Sequence, residues 1–83
     1  MMVHIVNVVS GDGKILVQRE FDNSVDRTTY ADILVDIMSV IEERKVKHVE
    51  KEIIKENPGL KYMLSSAREI EDKFVVTEMV VTR

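Results

Sequence analysis

The sequence predicts an α+β domain: a small, largely antiparallel sheet made of an N-terminal hairpin and a C-terminal strand, covered by one long helix and a short second helix, in the order β-β-α-α-β. Three observations predict it. Two β-branched runs, VHIVNVV and ILVQREF, flank the turn sequence SGDGK, which is a hairpin signature. Apolar residues recur at steps of three and four from Tyr30 to Ile41, which is the period of a helix with one buried side. The terminal KFVVTEMVV is apolar at odd and even positions alike, as expected of a strand covered on both faces.

In the first run Val3, Ile5 and Val9 point one way and Val6 and Val8 the other, so both faces of this strand are apolar. In the second, Ile15, Val17, Arg19 and Phe21 share a side and Leu16, Gln18 and Glu20 face oppositely, the pattern of a strand nearer an edge. Ser24, Asp26, Thr28 and Thr29 each offer a side-chain oxygen to the free amides of a helix start. The Thr29 option places Asp32 at the third helical position, where a carboxylate favours the positive helix end. Pro58 disfavours helix at Asn57, so the helix is expected to stop by Glu56.

After Pro58, Leu60, Met63, Leu64, Ala67 and Ile70 fit helical spacing, whereas a strand would set Ser66 and Arg68 among apolar residues. A short second helix is therefore preferred for residues 60–71, with a strand and the order β-β-α-β-β as the alternative. Phe74, Val76 and Val80 then alternate with Val75, Met79 and Val81 in the last strand. No repeat or linker divides the chain, so residues 1–83 form a single domain.

The apolar stripe of the long helix does not continue past its midpoint. Extrapolated at about 100° per residue, it runs into Arg44, Lys45 and His48, while Val46, Val49 and Ile53 start a new stripe in line with Val35. Two structures fit. Either the helix breaks near residues 43–45 and a second piece folds back, or it continues unbroken for about 43 Å and its far end protrudes from a domain roughly 30 Å across. A protruding apolar stripe calls for cover, and a second copy of the chain is the simplest source. Val35, Val46, Val49 and Ile53 are thus the expected dimer or partner interface, and Arg44, Lys47, Lys51 and Lys55 gather on a basic face suited to an anionic partner.

Composition narrows the functional classes. At 83 residues with 45% hydrophobic and 33% charged residues, the chain suits one modest core that buries roughly 60 to 65% of the unfolded surface. It has no cysteine, which removes disulfides, thiolate metal sites and thiol nucleophiles and fits a reducing cytoplasm. No stretch reaches the length needed to span a bilayer, and no membrane partner is expected. The net charge of -3 has its acidic excess in residues 1–41, with 6 acidic against 3 basic side chains. A general nucleic-acid coat would show the opposite sign.

Candidate chemistry has a plainer explanation at each position. His48 and Glu52 stand four apart, and an exposed ion pair explains them better than metal ligation. Asp32 and Asp36 fit an exposed charged face better than acid/base catalysis. No serine lies in a nucleophile-elbow context, and SGDGK lacks the Lys-Ser/Thr pair of a phosphate loop. The resulting expectation is a small non-enzymatic interaction module of the regulator, adaptor or inhibitor type, without a cofactor, acting as a homodimer on another protein. The alternatives are a nucleic-acid-binding protein that uses the basic face, and a binder of a small anionic ligand at the subunit interface.

Overall fold

The computed structural model describes residues 1–41, 46–48, 61–71 and 73–82. Their elements are β1 (Met2–Ser10), β2 (Ile15–Phe21), α1 (Ser24–Ile41), β3 (Val46–His48), β4 (Lys61–Ile70) and β5 (Phe74–Thr82). The five strands form one sheet in the order β2-β1-β5-β4-β3, and every neighbouring pair is antiparallel. The α+β class and the N-terminal hairpin hold. The order is β-β-α-β-β-β.

The hairpin is built by SGDGK as expected. Ser10 and Lys14 close the turn through Ser10 N–H donating to the Lys14 carbonyl at 2.8 Å, and Gly13 N–H donates to the Ser10 carbonyl at 2.9 Å. Gly13 has φ 90°, a region that a side chain would obstruct. Asp12 sits at the tip, where the Ser10 hydroxyl and the Lys14 amide both donate to its carboxylate.

One detail of β2 departs from simple alternation. The β1–β2 register passes from Val8↔Val17 to Val9↔Ile15, so a bulge at Leu16 turns Ile15 to the opposite side from Val17 and Phe21. Ile15 therefore packs with Val9 and its neighbours, while Phe21 packs beneath the helix. The expected common side for Ile15, Val17 and Phe21 is corrected by that extra residue.

The second helix is also corrected: residues 61–70 are strand β4, paired with β5 along its length. The reason lies in another bulge, between Leu64 and Ser66. With one residue extra, Leu64 and Ala67 come to the same side of the sheet although they are three apart. A three-residue step inside a bulged strand imitates a helical step.

The long helix is described over Ser24–Ile41, and Val46–His48 is a strand paired with Ile70, Glu69 and Arg68 of β4. Val46, the first residue of the changed apolar pattern, is therefore on a strand and not on the helix. An unbroken helix from residue 28 to residue 56 is excluded by this pairing.

The sheet buries both faces. Under α1 lie Val6, Val8, Val76 and Ile70, packed against Ala31 and Val35 with Phe21, Tyr30, Leu34, Met38 and Phe74 around them. On the other face Val3, Ile5, Val9, Ala67, Val75, Met79 and Val81 form a second buried cluster. β5 and β1 occupy the centre, which is why both strands are apolar on both sides. Burial of the second face is achieved within the single chain, so no subunit is needed to hide it.

Candidate functional site

The polar side chains that the sheet draws together lie between α1 and the strands. The helix begins at a cap supplied by Asn23, whose side-chain oxygen accepts from Asp26 N–H at 2.8 Å while its amide donates to the Asp26 carboxylate at 3.0 Å. Asn23 thus serves as the N-cap, and the bond between the two side chains holds it in place. It sets the rotation of the first turn, so that Arg27 and Thr28 face the sheet.

There they meet Glu78 of β5. Thr28 Oγ1 donates to Glu78 Oε1 at 2.6 Å, Arg27 Nε lies 3.4 Å from the same oxygen, and Arg68 of β4 donates from Nη2 to Glu78 Oε2 at 3.4 Å. Arg68 Nη1 also donates to Asp32 of α1 at 2.8 Å. Arg27 Nη1 donates to His4 Nδ1 on β1 at 3.2 Å. Because a guanidinium has no acceptor, the His4 nitrogen must supply the lone pair. Arg27 and Glu78 are buried, and each offsets the charge of the other.

This network places Arg68 on the face that the sequence pattern had reserved for apolar residues, and so explains how a strand accommodates it. Charges of both signs are already paired here, and the arrangement acts as a lashing between helix and sheet. Two buried nitrogens, Arg27 Nε and Arg68 Nε, make no hydrogen bond. Among the described residues no group of three or more His, Asp or Glu is placed to hold a metal, and no helix is long and apolar enough to cross a membrane.

On the opposite face Asn7, Glu69 and Thr77 are buried. Asn7 accepts from Gln18 Nε2 at 2.9 Å. Thr77 stands directly across from it in the β1–β5 register, with its hydroxyl buried and without a hydrogen-bond partner.

The expected interface residues fall into different places. Val35 is buried against the chain's own sheet, in the cluster of Val6, Val8 and Val76. Val46 is 41% exposed on β3, the outermost strand. Val49 and Ile53 lie outside the described residues, as do Arg44, Lys51 and Lys55 of the basic face. Lys47 is exposed beside Val46, in a strand and not on a helix.

The outer surface of α1 is a feature the sequence reading assigned to the core. Ile33 and Ile37 belong to the apolar stripe between Tyr30 and Ile41, yet they are 51% and 49% exposed, and Val25 is 71% exposed. Seating Ala31 and Val35 on the sheet turns these side chains away from it. The helix carries three exposed charges, Asp26, Asp32 and Asp36, all acidic, while its one basic residue, Arg27, is turned inward.

Searches against protein-family models and against solved structures found no match. The chain is 70% identical over 81 residues to "Uncharacterized protein 70" of Sulfolobus islandicus filamentous virus (isolate Iceland/Hveragerdi), a match that covers 98% of this chain and 100% of that protein. At this identity over nearly the whole chain, the chain belongs to the family of that viral protein.

Proposed function

We propose that the protein is a small non-enzymatic interaction module, of the regulator, adaptor or inhibitor type, that works in the cytoplasm of an infected cell by binding another protein, and that it does so as a homodimer. The observation that carries this reading is the contrast between a core closed on both faces and the apolar side chains left at the surface. Contiguous exposed apolar surface marks association sites. Membership in a virus protein family directs the search for partners to viral and host proteins.

Self-association is assigned to the β3 edge, where Val46 and its two neighbours are exposed on the last strand of an open sheet. Among the described residues β3 is an edge strand, and an edge offers backbone donors and acceptors to a second copy. Light scattering should return twice the 9.6 kDa chain mass, and Val46→Asp should return the single mass. A wild-type protein that stays at the single mass at high concentration would overturn the dimer. No described feature favours the nucleic-acid reading, since the exposed face of α1 repels phosphate.

A further inference from the structure

We infer that the outer face of α1 is the docking surface for the partner, and that the partner presents an apolar groove edged by Lys and Arg; the inference rests on the interaction-module reading and names its site. Val25, Thr29, Ile33 and Ile37 follow each other at intervals of four, and all four are exposed. Such a row runs along one side of a helix with slight rotation and forms a ridge about 18 Å long. Ridges of this kind seat in grooves of a facing surface, and recognition of a helix through i and i+4 anchors is a recurring mode of protein binding.

Among the described residues nothing covers the ridge. Ala31, Val35 and Met38 occupy the sheet-facing side, and Tyr30 is held at the flank by Phe21, with ring centroids 5.3 Å apart, and by Arg19 at 5.5 Å. Ile33 and Ile37 are left to solvent. Their exposure is therefore not a consequence of a poor fit inside the domain.

Charge selects the occupant. Asp26 and Asp36 border the ridge, and Asp32 adds a third carboxylate on the side toward Arg68. A second copy docked ridge to ridge would bring like-charged carboxylates together. A nucleic acid or an anionic membrane would be repelled in the same way. A protein groove rimmed by basic side chains satisfies the apolar anchors and the carboxylates at once.

The test uses the full-length, isotope-labelled protein and two probes: an amphipathic helical peptide with one leucine stripe edged by lysines, and its counterpart edged by glutamates. The lysine-edged peptide should bind, shift the amides of α1, and lose affinity as salt is added. The combined change Ile33→Ser and Ile37→Ser should weaken that binding at least about tenfold, as truncation of anchor residues does, with unchanged circular dichroism. Asp26→Lys with Asp36→Lys should reverse the preference toward the glutamate-edged peptide. Equal binding of both peptides, no binding of either, or a preference that survives charge reversal would overturn the inference. The mass measurement stands apart: a dimer that ignores both peptides removes the α1 site and leaves the interaction-module reading, whereas a monomer that binds the lysine-edged peptide removes the dimer and leaves the site.

Discussion

Glu78 is the residue on which the helix–sheet junction depends. Its two carboxylate oxygens engage Thr28 and Arg27 on one side and Arg68 on the other, and both it and Arg27 are shielded from water. Replacing one member of a buried ionic group leaves the others uncompensated, so Glu78→Gln should cost about 3 kcal/mol in urea denaturation. The exposed pair Ser10 and Asp12 behaves differently. Hydrogen bonds from the Ser10 hydroxyl, and then from the Lys14 amide, hold the Asp12 carboxyl below its ordinary 3.8. A carboxyl lowered on folding stabilises the fold above its unfolded value, and that contribution is lost as pH falls through the lower folded value. Ser10→Ala should therefore move the Asp12 titration, followed by NMR, up toward 3.8, and its small destabilising effect should be present above that pH and vanish at strongly acidic pH, where the carboxyl is protonated in the folded and unfolded chain alike.

At the scale of elements, α1 shows how a small residue decides which side of a helix is buried. Ala31 is fully buried where α1 crosses the sheet, among Val6, Val8 and Val76. Its size lets the helix approach the strands closely, and this orientation puts Val35 and Met38 on the sheet while lifting Ile33 and Ile37 into solvent. Ala31→Leu should destabilise by about 1 to 3 kcal/mol through overpacking, readable as a lowered melting temperature, even though leucine is the better hydrophobe. The strands show a comparable lesson in their bulges. Leu16 and the residue between Leu64 and Ser66 each add one position, which re-aims Ile15 and makes β4 look helical in sequence.

The whole molecule is organised around its two ends. β1 and β5 pair from Met2↔Thr82 to Ser10↔Phe74, so the sheet has its first and last strands at the centre and is completed only when the full chain is present. Such long-range pairing predicts folding on the slower millisecond-to-second scale. A chain ending before Phe74 would lack the strand that joins β1 to β4, and it should give the circular dichroism of an unfolded polypeptide. The longest dimension of the molecule is 38 Å, shorter than the rod of about 43 Å that an unbroken helix would have required. Association therefore has to be sought on exposed faces of a closed domain: the β3 edge for a second copy and the α1 ridge for a partner.

The hairpin, the start of the helix near Ser24, the central C-terminal strand and the α+β class were legible in the sequence, because turn chemistry, capping side chains and β-branched apolar runs are local signals. The cap itself is Asn23 and none of Ser24, Asp26, Thr28 and Thr29, the cap residues expected from the sequence, although Asn-x-x-Asp is also a local signal. By itself the sequence determined which segments carry apolar side chains and in what period. Only the tertiary structure decided that β4 is a strand, that Val46–His48 is a strand and not helix, that Val35 is core and that Ile33 and Ile37 are surface. The physical reason is that a bulge, a buried ion pair and the seating of Ala31 each depend on a neighbour far away in the chain, and periodicity along one segment carries no information about that neighbour.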